Sequence, residues 1–333
     1  MSRSEATSTA IGLDVGTSRI VTARQSEDSI RYDIQLNAFV TVPYSKMTEN
    51  MLRKEGVPHA VEGAEILVHG NESERFAALL DKDIRRTMTH GVLNPDEPGG
   101  AKLIREITAS LAGKPEKGQK LCFTIPAPTL GAEENLTYHE ATLRQVFQGL
   151  GFDVMSISEG LAVVYAELES SNYTGIGISC GGGLCNVCFS YLSVPIISFS
   201  ILKAGDFIDS SAASVTGERA NRIRLLKEES FHINGHFENK LEQALSVYYE
   251  DMIQSLVASL RNAFQGARNL PKLSRAIPLV LSGGTATPKG FRDRFEKVLR
   301  AGEFPIALSE IRTAAEPLTT TAKGALVAAL CGD

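Results

Sequence analysis

The sequence has little that would tie it to a membrane, a nucleic acid or an oxidising compartment. No apolar run in it reaches the roughly 20 residues of a membrane-spanning helix. Its 34 Lys and Arg against 39 Asp and Glu leave a net charge of −5, without the basic excess that holds nucleic acid or anionic lipid. Five cysteines, an odd number at spacings that fit no disulfide framework, accord with a reducing compartment. The polar start over residues 1–9 has neither the apolar stretch of a signal peptide nor the apolar face of a surface anchor. These absences set the expectations: a short disordered tail over 1–9, a cytoplasmic protein, no nucleic-acid partner and no direct membrane anchor. What is present, 43% hydrophobic and 22% charged residues in a chain of 333, suits a globular protein large enough for two domains.

The most informative feature is a pair of glycine-rich hairpins about 165 residues apart. The first runs Ile11-Gly12-Leu13-Asp14-Val15-Gly16-Thr17-Ser18-Arg19-Ile20-Val21, and the second Gly175-Ile176-Gly177-Ile178-Ser179-Cys180-Gly181-Gly182-Gly183-Leu184-Cys185. Each reads as a buried strand, a tight turn and a second strand. Glycine at such a turn lets a ligand approach the backbone closely, and consecutive N–H groups there form a concavity that suits phosphate oxygens. Two such loops in corresponding positions point to a nucleotide clamped between duplicated halves.

Along the first half, strands are expected over 10–16, 19–25 and 30–42, with an insertion from about 43 to 90 holding a strand at 64–70 and a helix at 72–80. A helix over 98–112, strands over 120–126 and 153–158, a helix over 135–150 and a crossing helix from 160 follow. The second half repeats the theme. The glycine hairpin at 175–190 and a strand at 194–203 precede one or two helices over 207–229. Residues 238–266 form a long amphipathic helix, 276–281 a strand, and 289–299 and 320–330 the last helices.

Several residues invite both a chemical and a plain reading. Asp14 at a strand end beside a phosphate-sized turn suits the orientation of water on Mg²⁺, with Gly16, Thr17, Ser18 and Arg19 around the phosphates; the plain reading is an exposed Asp on a hairpin. Ser282-Gly283-Gly284-Thr285 would let an adenosine lie against the backbone, or is a strand-to-helix turn with capping threonines. Glu159, at a strand-to-helix junction, is placed to orient an attacking water or simply to stabilise a helix N-terminus. Cys180, Cys185 and Cys188 overlap an iron–sulfur spacing, yet buried cysteine is ordinary on such a hairpin. His232 and His236 have helical metal-pair spacing but span Asn234-Gly235, a turn signal.

Taken in order, these motifs resemble the actin-like ATPase superfamily, which includes actin, MreB, MamK, FtsA, ParM and the nucleotide domain of DnaK-type chaperones. The resemblance covers nearly the whole chain and is greatest to the bacterial MreB- and MamK-like actins. Asp14–Arg19 is similar to the first phosphate loop and Gly181–Gly183 to the second. Ser158-Glu159-Gly160 and Thr321-Ala322-Lys323-Gly324-Ala325 resemble the two connecting helices, and Leu281–Phe291 the adenosine loop. Met88–Leu93, Lys203–Asp209 and Glu218–Arg224 are similar to further MreB and MamK segments. The resemblance implies an α/β fold of two ribonuclease-H-like halves around a nucleotide cleft, 10–155 plus 318–333 and 156–317. It implies ATP or ADP with Mg²⁺ as ligand. It also implies a site drawn from Asp14, Gly16, Thr17, Ser18, Arg19, Glu159, Gly181, Gly182, Gly183, Gly205, Asp206, Gly217, Glu218, Asn221, Arg224, Gly283, Gly284 and Thr285.

The sequence departs from that pattern at four places. Ser179 stands where the family's second phosphate loop begins with Asp, and Leu184 and Cys185 replace that loop's two threonines. Asn221 stands where a ribose-binding Glu is usual. The stretch from about 225 to 240 is short for an upper second subdomain. The expectation is therefore a bacterial actin-like protein that binds ATP–Mg²⁺, hydrolyses it weakly or slowly, and assembles with itself into cytoskeletal filaments. The alternative is a non-polymerising, nucleotide-sensing scaffold of the PilM or EutJ type that engages protein partners.

Overall fold

The computed structural model describes residues 10–27, 29–131, 136–237, 239–268 and 270–332; the tail expected over 1–9 lies outside them. The first half opens with β1 (Ile11–Val15), β2 (Arg19–Ser26) and β3 (Ser29–Leu36). An insertion follows: β4 (Ala38–Pro43), α1 (Lys46–Lys54), β5 (His59–Glu62), β6 (Glu65–His69), α2 (Glu72–Leu80) and β7 (Arg85–Arg86). A small hairpin of β8 (Met88–Thr89) and β9 (Val92–Leu93) leads into α3 (Gly100–Ala112), β10 (Lys120–Ile125), α4 (Leu136–Gln148), β11 (Asp153–Ser158) and α5 (Glu159–Glu167). The second half holds β12 (Gly175–Cys180), β13 (Cys185–Tyr191), β14 (Val194–Ile201), α6 (Gly205–Thr216), α7 (Ala220–Glu229) and α8 (Lys240–Gly266). It ends with β15 (Ile277–Ser282), α9 (Phe291–Arg300), β16 (Leu308–Thr313) and α10 (Thr320–Cys331).

Two five-stranded sheets carry the architecture, ordered β11-β10-β1-β2-β3 and β16-β15-β12-β13-β14. Within each, an antiparallel three-stranded meander adjoins two parallel strands reached through helical crossovers, so one topology is used twice. The fold is thus mixed α/β with the actin-like duplication that the motifs imply. Every residue of β12 is buried because helices cover both faces of its sheet, as suits a largely apolar strand. The apolar stripe of α8, including Leu245, Met252, Leu256 and Leu260, joins one core with β12, β13 and α9. Asn239 caps α8 by accepting the Glu242 N–H at 2.8 Å.

Between the sheets, α5 and α10 cross. Gly324 of α10 sits directly on the Ala162 carbonyl of α5, and Gly12 of β1 lies on the α10 backbone, where a side chain would overlap main-chain atoms. These glycines let the two connecting helices approach each other and the first sheet closely, setting the spacing there.

The strand expected over 30–42 is instead two strands in different sheets. β3 ends at Leu36 and β4 pairs with β6 and β7 in the four-stranded sheet of the insertion. Asn37 makes the break: it is fully buried, its N–H donates to the Ser18 carbonyl at 3.0 Å and its side-chain amide to the Gly16 carbonyl at 2.9 Å. Those bonds turn the chain away from the ladder. The helical region at 207–229 is two helices, divided at Gly217, whose φ of 78° is left-handed. Helix α1 and strand β16 were not expected from the sequence.

Candidate functional site

The two glycine turns are closed by equivalent bonds. Gly16 N–H donates to the Arg19 carbonyl at 2.9 Å, and Gly181 N–H donates to the Leu184 carbonyl at 2.9 Å. The turns face one another across the gap between the sheets. A side chain at Gly182 would collide with Ser18, and one at Gly183 with Thr17 and the Gly91 backbone. Thr17 accepts the Gly91 N–H at 3.2 Å. Between the turns lies a cavity of about 70 Å³. Asp14, Gly16, Thr17, Ser18, Arg19, Glu159, Gly181, Gly182, Gly183, Gly283 and Gly284 all border it.

At its floor are two carboxylates. Asp14 is held at both oxygens, by Thr124 Oγ1 at 2.6 Å and Thr321 Oγ1 at 2.5 Å. Thr124 Oγ1 in turn accepts the Val15 N–H at 3.2 Å, which aims its own proton at Asp14. Burial raises the Asp14 pKa above the ordinary carboxylate value despite those two bonds. Glu159 accepts from Ser179 Oγ at 3.0 Å. Its pKa is pushed up to about 8, first by burial and then by the Asp14 charge. The position that carries Asp in the resembling family thus holds a hydroxyl bonded to Glu159.

The 282–286 turn packs behind the second loop. Gly283 has a φ of 90° and rests against the Cys180 backbone. Buried Thr285 donates to the Gly181 carbonyl at 2.7 Å. Gly205 lies under Thr285 and Gly181. The Asp206 N–H donates to the Gly182 carbonyl at 2.8 Å, while its carboxylate pairs with Arg86 of the insertion at 2.5 Å. These three residues therefore support the second loop from behind.

The remaining expected residues lie elsewhere. Gly217, Glu218 and Asn221 border a separate hollow of about 510 Å³ between α7 and the α2 end of the insertion. Arg224 is buried and ion-paired to both Glu74 and Glu228. Glu228 also pairs with Arg19 at 2.5 Å, so a row of charges stands between the hollow and the phosphate-loop cavity. A third hollow, of about 610 Å³, sits at the N-terminal ends of β12 and β15, away from the loops, and contains none of the expected residues.

Gly91, Leu184, Pro317, Leu318 and Thr321 also line the cavity, and Thr124, Arg86 and Glu228 act on its members. None of these eight was singled out as a site residue in the sequence. Three had a signal in resembling segments: Thr321 in 321–325, Gly91 in 88–93 and Leu184 in the second phosphate loop; the others meet the site only through tertiary packing.

The cysteine spacing has a structural answer. Cys185 faces the core under α8 and Cys188 the core at α5 and α10, because an odd separation along a strand places two residues on opposite faces. Among the described residues no group of three His, Cys, Asp or Glu is arranged to hold a metal ion. His232 and His236 are exposed on the loop after α7.

The donor set around the cavity fits a polyphosphate with a hydrated Mg²⁺: two carboxylates, two hydroxyls, an arginine and glycine amides. Ligand pockets usually span roughly 300–1,000 Å³, so this closed form must open to admit a nucleotide.

Comparison with known proteins bears on the family and the fold. The Volactin family model matches residues 9–329. No curated protein sequence matches. Among solved structures, the MamK double helical filament superposes with a TM-score of 0.70 at 18% identity, covering 95% of this chain and 97% of that one. MreB 5 of Spiroplasma citri bound to AMPPNP gives 0.69 at 14% identity, with 97% and 96% covered. The ethanolamine utilization protein EutJ from Carboxydothermus hydrogenoformans gives 0.54 at 16% identity, with 96% and 89% covered. At these identities the likeness is one of fold.

Proposed function

The chain belongs to the Volactin family, and from that premise we propose that it is an actin-like protein of the cytoplasm that binds ATP–Mg²⁺ between its two glycine turns and assembles with itself into filaments. The observation that carries the reading is the pair of equivalent turns meeting across one cavity with Asp14 and Glu159 at its floor. Two fold neighbours, a double helical filament of MamK and an AMPPNP-bound MreB, support it.

When bound, Mg²⁺ would supply charge neutralisation on the phosphate oxygens. The protein's own residues do the rest. Asp14, fixed by Thr124 and Thr321, would hold the hydrated metal through water. Amides at Gly182 and Gly183 and the hydroxyls of Thr17 and Ser18 hold phosphate oxygens. Glu159 orients the attacking water and takes its proton. Because Ser179 replaces a carboxylate, one anchor of that water network is a neutral hydroxyl, and turnover is slow. The adenosine lies against 283–285. Opening of the halves on the α5–α10 crossing admits the ligand, and the closure angle sets subunit contacts in an open, head-to-tail polymer.

A second reading, a nucleotide-sensing scaffold, draws on the reduced upper part of the second half, where only α6, α7 and a loop separate β14 from α8, and on the EutJ likeness. High-speed pelleting with electron microscopy in ATP, ADP or no nucleotide, beside an ATP-binding measurement, tests both. Nucleotide-dependent filaments establish the first reading. ATP binding without pelleting supports the second, and absence of both removes the two together.

A further inference from the structure

Four alternating charges cross the cleft in single file. Glu74 of α2 bonds Arg224 of α7; Arg224 Nη1 lies 3.2 and 3.3 Å from the carboxylate of Glu228, one turn on; and Glu228 bonds Arg19, the first residue after the phosphate turn, at 2.5 Å. The row links the insertion, the second half and the first phosphate loop. It is shielded: the Arg224 side chain is 5% exposed, those of Arg19 and Glu228 about a quarter. Burial alone would raise the Glu228 pKa, but the two arginine charges outweigh it and hold the carboxyl below its ordinary value. Glu228 is therefore an ionised hub shared between two cations. The Arg19 guanidinium also lies beside Gly284, and both residues line the cavity of about 70 Å³.

We propose that Arg19 is a two-position switch: it bars the cavity while paired with Glu228, moves to the phosphates when a nucleoside polyphosphate enters, and thereby changes the hold of Arg224 on the insertion. The inference rests on the nucleotide-binding reading above. The physical argument is charge competition. A polyphosphate offers Arg19 several anionic oxygens in place of one shared carboxylate. Once Arg19 leaves, Glu228 is shared by one cation instead of two and draws Arg224 towards itself. Arg224 then holds Glu74 less firmly, and α2 loosens from α7. Occupancy of the phosphate site is thus reported to the insertion through side chains that contact no nucleoside. Linkage requires the converse, that loosening α2 eases entry.

The test is stopped-flow binding of fluorescent ATP and of inorganic tripolyphosphate to the full chain, with hydrogen exchange of α2 read with and without ATP. Wild type, Glu228→Gln and Glu74→Gln are compared, each checked for native fold by circular dichroism. Glu228→Gln frees Arg19 and should speed association of both ligands by roughly three- to tenfold, the scale of one charge-assisted hydrogen bond. ATP should raise α2 exchange in wild type and leave it unchanged in Glu228→Gln. Glu74→Gln should show raised α2 exchange without ligand. If ATP binds wild type but Glu228→Gln associates no faster and α2 exchange ignores ATP, the switch is wrong while the nucleotide site stands. If neither ligand binds any of the three proteins, the nucleotide reading falls and takes the switch with it.

Discussion

The two halves share a strand order and differ in what their corresponding turns carry. The first turn has a carboxylate at Asp14, hydroxyls at Thr17 and Ser18, and a cation at Arg19. The second has three glycines, a hydroxyl at Ser179 in the place of Asp14, and apolar Leu184. The insertions differ in the same sense: a four-stranded sheet with two helices rises from the first half, while the second sends up only α6, α7 and a loop before α8. Duplication thus preserved the frame, which depends on buried apolar strands and close helix crossings. The chemistry was concentrated on one side, leaving the other as a backbone cradle.

That comparison breaks most sharply at Glu159, which leads out of the first sheet and leans on Ser179 of the second. Glu159→Gln should lower ATP turnover by about a hundredfold or more, the scale of a lost general base, with binding within a few-fold; equal loss of binding and turnover would contradict the role. Asp14→Ala should weaken Mg²⁺-dependent ATP binding or turnover by about ten- to a hundredfold, measured as the difference between Mg²⁺ and EDTA, whereas Ser179→Ala on the opposite turn should change the Mg²⁺ dependence little. Ser179→Asp restores symmetry between the turns. Phosphate release should rise several-fold, on the order of one added outer-sphere anchor, and a flat or falling rate would show that the missing carboxylate is not what limits turnover.

The smallest effect is on stability against pH. Glu159 has a folded pKa of about 8, above its unfolded value of about 4.3. The folded state therefore binds more protons across that interval, and the contribution of this residue, full below pH 4.3, is lost as pH rises towards 8. Glu159→Gln removes the titration. Its thermal midpoint relative to wild type should climb by a few degrees between pH 5 and 8, and a difference that stays constant over that range would mean Glu159 is ionised in the closed cleft.

Much of this was legible because it is local. The hairpins at Asp14 and Gly181, the long helix over 240–266, strand β15 and the last two helices follow from apolar periodicity and turn glycines, which act within a few residues. The missed helix α1 had its own signal in Ser45, whose hydroxyl accepts the Thr48 N–H at 3.0 Å. Asn37 had none: a buried asparagine that ends one sheet and begins another is defined only by the carbonyls of Gly16 and Ser18 it meets. Glu228 and Arg86 were equally silent, since their partners, Arg19 and Asp206, are 209 and 120 residues away.

The sequence by itself determined the duplicated α/β frame and the turns that face the cleft, because strand periodicity and glycine-rich turns are intrinsic to short stretches of chain. Only the tertiary structure decided which charges face each other across that cleft and that the closed cavity is too small for the ligand its donors suit. Those outcomes depend on the distance between two halves, which the crossing of α5 and α10 sets and no local pattern encodes.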